Sequence, residues 1–180
     1  MEILGMFRGW RILVVMPLNS KAEVTHLIEL AFAGVTLGDG LSLEQSKVVD
    51  NYGRGVTSEQ FSNLPKKEIT DNWAAIPLSI LDKADCLGHL DPKGFKYYIP
   101  ALMLRLLDAY DSTSMMTIGT LSALYPKTED KKFLYSELSE NQRHAIAKYL
   151  VSLPSLIDLD TEDKTIVERA ARNYWSKYLD

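Results

Sequence analysis

Apolar residues return every three or four positions along most of this chain, with polar residues filling the intervals. Val24, Leu27, Ile28 and Ala31 hold the spacing of one buried helix face, so a helix is predicted from Lys21 to Ala33. Gly34 follows it and is suited to the left-handed conformation that closes helices. A second, shorter helix is predicted from Leu43 to Tyr52, burying Val48, Val49 and Tyr52 and stopping at Gly53. The pattern lapses over residues 54–72, a polar stretch with Gly55 and Pro65 that reads as a long surface loop. It resumes at Trp73, and Pro77 suits the first position of a short helix through Leu81. Leu102, Met103, Leu106, Leu107 and Tyr110 cover more than one face, which marks the most buried helix of the fold, starting at Pro100. Thr113 to Leu124 follows as a Ser- and Thr-rich helix. Glu140 to Leu153 and Thr161 to Leu179 complete the set, the last burying Ile166, Val167, Ala170, Ala171, Tyr174, Trp175 and Tyr178.

Helix starts are signalled separately. In a capping box a Ser or Thr hydroxyl accepts from the amide three residues on, and a Glu or Gln there reaches back. The pattern occurs at Ser20/Glu23, Ser42/Gln45, Thr57/Gln60 and Ser139/Gln142. These boxes and the periodicity predict a mainly α, compact domain of six to seven helices over residues 16–180. Residues 1–15 read as an extension outside it if translation starts at Met16.

One segment departs from helical spacing. Asp91-Pro92-Lys93-Gly94 has the residue types of a type I turn. Phe95, Tyr97 and Ile99 then alternate with Lys96 and Tyr98, which predicts a short extended strip near 95–99. Adjacent tyrosines on such a strip point to opposite faces. Tyr98 is therefore expected at the surface beside Lys96, as a recognition patch. Arg105, the one charge early in the Pro100 helix, is expected to pair with Asp108, Asp50 or Asp91.

The same segment carries a resemblance. Ala31-Phe32, Asp50-Asn51-Tyr52-Gly53, Trp73 with Ile76-Pro77, Asp91 to Met103, Gln142-Arg143 and Tyr174-Trp175 occur in that order. In this the chain resembles a bacterial family of uncharacterised domains whose core motif is Asp-x-x-Gly-Phe-x-x-Tyr-x-Pro-Ala-x-Met. The resemblance spans residues 20 to 178 and implies a fold unit without implying an activity.

Composition narrows the function classes. A net charge of −4, with lysines only in isolated pairs such as Lys66-Lys67 and Lys131-Lys132, supplies no basic stripe for nucleic acid. The single cysteine, Cys86, allows no internal disulfide and fits a reducing cytoplasm. No apolar run reaches the ~20 residues that span a bilayer. Arg8 and Arg11 before Ile12–Met16 imitate a signal peptide, but Lys21, Glu23, His26 and Glu29 interrupt its apolar core. No nucleotide-binding glycine loop, G-x-S-x-G or H-E-x-x-H occurs, so no cofactor is expected.

Reactive side chains come together at one place. Cys86, His89 and Asp91 have the residue types of an activated thiolate, its base and an orienting acid. They also have those of a metal site, although C-x-x-H-x-D is not a recurrent ligand spacing, so no metal is assigned. A turn role already accounts for Asp91, and cysteine is commonly a small buried hydrophobe. The leading expectation is a cytoplasmic domain that binds another protein, of inhibitor or immunity type, with Tyr98, Lys96 and Arg105 in the contact. The alternatives are a hydrolase using Cys86 and His89 or a metal–carboxylate site, and a small-ligand domain with a Tyr- and Trp-lined pocket.

Overall fold

The computed structural model describes residues 17–52, 71–85, 87–128 and 132–179, with backbone alone for 51 and 52. Among them the chain is all-α, with no strand. Helices α1 (Lys21–Ala31), α2 (Leu43–Tyr52), α3 (Leu78–Leu81), α4 (Pro92–Asp108), α5 (Met115–Leu124), α6 (Glu140–Leu156) and α7 (Thr161–Asn173) are joined by single 3-10 turns at Trp73–Ala75, Leu87–His89 and Trp175–Tyr178. The extension expected at 1–15 and most of the long loop expected at 54–72 lie outside the described residues.

Two of the four expected capping boxes form in full. Ser42 with Gln45, and Ser139 with Gln142, make both reciprocal bonds at 3.0–3.3 Å. At α1 the Ser20 hydroxyl accepts from the Glu23 amide at 3.2 Å, while the Glu23 carboxylate reaches one residue further back, to Asn19 N–H at 2.8 Å. The Thr57/Gln60 pair lies outside the described residues. Gly34 takes the left-handed conformation, with φ +72°, just after α1.

The central segment is where structure and sequence reading part. Residues 95–99 are not an extended strip; they belong to α4, which starts at Pro92 and runs for 17 residues with Pro100 inside it. Asp91 is its N-cap, with the side chain accepting from Gly94 N–H, and Pro92 follows at the first helical position, where a missing N–H costs nothing. The alternation that suggested a strip arises because α4 is buried on nearly every side. Phe95, Tyr97, Tyr98, Ile99, Leu102, Met103 and Leu106 are each at most 1% exposed. Pro100 removes one intrahelical bond, a defect that packing on all sides tolerates.

α4 is the hub. It packs against α1, α3, α5, α6 and the Trp73 turn, while α6 lies between α1 and α7. Both described indoles are anchored by a hydrogen bond to a carbonyl near a helix end. Trp73 Nε1–H donates to Phe32 O at 2.9 Å, and Trp175 Nε1–H donates to Leu124 O at 2.8 Å. Trp175 also packs with Tyr135 and Tyr174, with ring centroids 4.8 and 5.0 Å away. The chain end is thereby pinned onto α5 and α6.

Candidate functional site

The described part of the expected Cys–His–Asp cluster does not converge as a triad. His89 Nε2 lies 3.0 Å from Asp50 Oδ1, on a half-exposed surface between α2 and the 87–89 turn. Asp91 Oδ1 is occupied by two backbone donors, Gly94 N–H and Leu41 N–H, each at 2.8 Å. Cys86 lies outside the described residues. Among the described residues no three His, Cys, Asp or Glu side chains are grouped to hold a metal ion. His144 directs Nδ1 to Tyr178 O at 2.8 Å, a tie between α6 and the terminal turn.

The expected recognition patch at Tyr98 is also absent, because the strip is a helix. Tyr98 is fully buried, its ring set edge-on to Tyr97 with centroids 4.9 Å apart. Its hydroxyl accepts from Leu43 N–H at 3.4 Å, satisfying one of the orphan amides at the start of α2. Lys96 is half-buried instead and lines a polar groove of about 430 Å³ with the Gly34–Asp39 loop, Lys93, Glu137 and Gln142. Lys93 there pairs with Asp39 at 2.7 Å, and that hydrogen bond holds its ammonium above the usual lysine range.

Arg105 lies on a different face. Its Nε donates to Asp82 Oδ1 at 2.7 Å and its Nη2 to Asp82 Oδ2 at 3.2 Å, a two-point grip on the residue that ends α3. Of the partners expected for it, Asp108 stands at 3.9 Å, Asp50 faces His89, and Asp91 caps α4. The grip holds Arg105 at the lip of a groove of about 300 Å³. Trp73, Ile76, Leu78, Leu81, Ala101 and Leu104 give it an apolar lining, and Glu29 and Asp108 rim it with negative charge. Trp73 and Leu81 are core residues whose outer surfaces form the wall, whereas Leu78 is 57% exposed. The sequence reading missed this groove because its residues come from three separate stretches that only the packing of α3 on α4 brings together.

A model described as "Family of unknown function (DUF6714)" matches residues 20–179. The chain belongs to this family. No curated protein and no solved structure matches it. In this DUF6714 chain no described helix is long and apolar enough to cross a membrane.

Proposed function

We propose that this domain acts in the cytoplasm by binding another protein, without chemistry of its own, through the apolar groove beside Arg105. The observation that carries the reading is Leu78, more than half exposed on a short helix whose neighbours Trp73, Ile76 and Leu81 are buried. A large side chain kept in water next to a concave apolar wall loses burial energy that a partner's side chain would restore. Glu29 and Asp108 on the rim favour a partner that carries basic residues around its apolar anchor. An inhibitor or immunity-type role, in which one small domain covers the working surface of another protein, is the concrete form of this reading.

The test is site-specific photocrosslinking in the cells that encode the protein. A photoreactive benzoyl-phenylalanine at position 78 is expected to give one discrete protein adduct. The same probe at position 168, an exposed site on α7, is expected to give none. Arg105→Ala is expected to weaken the position-78 adduct by freeing Asp82 and loosening the lip. Absence of an adduct at position 78, or the same adducts from both positions, would overturn the proposal.

A further inference from the structure

A second cavity, remote in sequence from the Arg105 groove, has a different character. It lies between α5 and the start of α7 and has a volume of about 310 Å³, at the lower end of the roughly 300–1,000 Å³ typical of small-molecule sites. One wall is apolar, built from Ile118 and Leu121 of α5 and Ile166 of α7, with the Tyr125 ring beside them. The outer stripe of α5 is uncovered, with Met115 56% and Ile118 45% exposed. The opposite wall carries Asp160, Glu162 and Asp163.

Asp163 is the unusual member. It is only 7% exposed, and one carboxylate oxygen, Oδ2, accepts from Tyr110 Oη at 2.7 Å. Its other oxygen, Oδ1, accepts no hydrogen bond and no cation pairs with the carboxylate among the described residues, and Oδ1 is not one of the fully buried orphan atoms, so it stays open to solvent. Buried carboxylates are normally paired. The ammonium at hand, Lys127, lies over the Tyr125 ring, 5.1 Å from its centroid, without bridging to the acids. Its placement is that of an ammonium held by an aromatic face.

We infer that this cavity binds a small organic cation, a primary ammonium on a compact apolar or aromatic body. The ammonium meets Asp163 Oδ1 and Glu162, and the apolar body lies against Ile118, Leu121 and Ile166. The site is independent of the protein-binding groove, since the two share no residue. Burial and the neighbouring Asp160 and Glu162 raise the Asp163 pKa, which is the signature of a carboxylate lacking its counter-charge.

The experiment titrates the full chain with three probes of matched size: 2-phenylethylamine, 2-phenylethanol and 3-phenylpropionate. Binding is read by calorimetry and by the methyl resonances of Ile118, Leu121 and Ile166. The amine is expected to saturate and to shift those methyls. The alcohol and the acid are expected to bind at least about tenfold more weakly, the loss that goes with one charge-assisted hydrogen bond. Asp163→Asn is expected to remove that preference, and Glu162→Gln, at an exposed site that does not threaten folding, to reduce it. The inference is overturned if the amine does not bind, if the alcohol binds as well, if the shifts fall outside the cavity, or if Glu162→Gln binds the amine like the parent.

Discussion

One oxygen of Asp91 accepts the backbone N–H of Leu41, 50 residues earlier in the chain, at 2.8 Å while also capping α4 through Gly94. The acid that reads in sequence as a catalytic partner is a tie between the loop after α1 and the central helix. Asp91→Ala is predicted to cost about 2 kcal/mol, roughly 1 for the cap and 1 for the second bond. Asp91→Asn keeps an acceptor oxygen and should lose less than half of that. Urea unfolding followed by circular dichroism checks both, through a lower midpoint at unchanged slope. An Asp91→Ala midpoint equal to the parent's would release the side chain for a functional role.

The same junction explains two glycines of opposite sensitivity. A Cβ at Gly94 would strike the Leu41 carbonyl oxygen and come within 2.9 Å of Asp91 Oδ1. Backbone cannot give way cheaply there, so Gly94→Ala is predicted to destabilise by about 1–3 kcal/mol despite better helix propensity. At Gly119, inside α5, the nearest atom to an added Cβ is Ala84 O at 3.5 Å, an ordinary contact. Gly119→Ala should therefore stabilise by about 0.5–1 kcal/mol through propensity alone. Thermal midpoints moving in opposite directions confirm the pair; a stabilised Gly94→Ala would contradict the close approach.

The helices were legible in sequence wherever one face was apolar and a cap stood at the start. α5 ends where expected, and α6 starts at its Ser139 box. The failure at 95–99 has a specific cause. Periodicity cannot register a helix buried on nearly every side, and Pro100 invited a start eight residues late, although Asp91-Pro92 is itself a cap followed by a first-turn proline. The surface features were less legible because they depend on which side chains converge from distant stretches. Ion pairs such as Arg105–Asp82, 23 residues apart, carry no local signal. The Asp163–Tyr110 contact likewise joins α7 to the end of α4 across 53 residues.

Tyr149 supplies a prediction about the core. It is fully buried on α6, and its hydroxyl has no hydrogen-bond partner among the described residues. Burial pushes its pKa upward, and the neutral phenol still lacks a bond that water would supply. Tyr149→Phe is predicted to stabilise by about 1 kcal/mol, since it removes only an unsatisfied group. Tyr135 is the control: its hydroxyl donates to Ala123 O at 2.6 Å. Tyr135→Phe should destabilise by about 1 kcal/mol. Denaturation midpoints decide the matter, and a destabilised Tyr149→Phe would mean that the hydroxyl holds a buried water.

The Asp163–Tyr110 contact contributes to the pH dependence of stability. Burial first, then Asp160 and Glu162, raise the Asp163 pKa above its ordinary 3.8. Between 3.8 and that raised value the folded state binds more protons than the unfolded chain, so stability falls as pH rises through the window. Asp163→Asn removes the titration. Its stability relative to the parent is predicted to grow from pH 3.8 upward and to level off once the parent carboxyl is ionised. Tyr110 adds a second, alkaline slope. Burial pushes its phenol from 10.0 up to about 12, so stability falls again above pH 10 as the unfolded chain ionises first. Tyr110→Phe should flatten part of that alkaline limb. It should also extend the acid limb to higher pH, because the lost hydrogen bond had been lowering the Asp163 pKa. Urea unfolding of the parent and both variants from pH 4 to pH 11 reads all of these slopes, and a parent–Asp163→Asn difference independent of pH would refute the assignment.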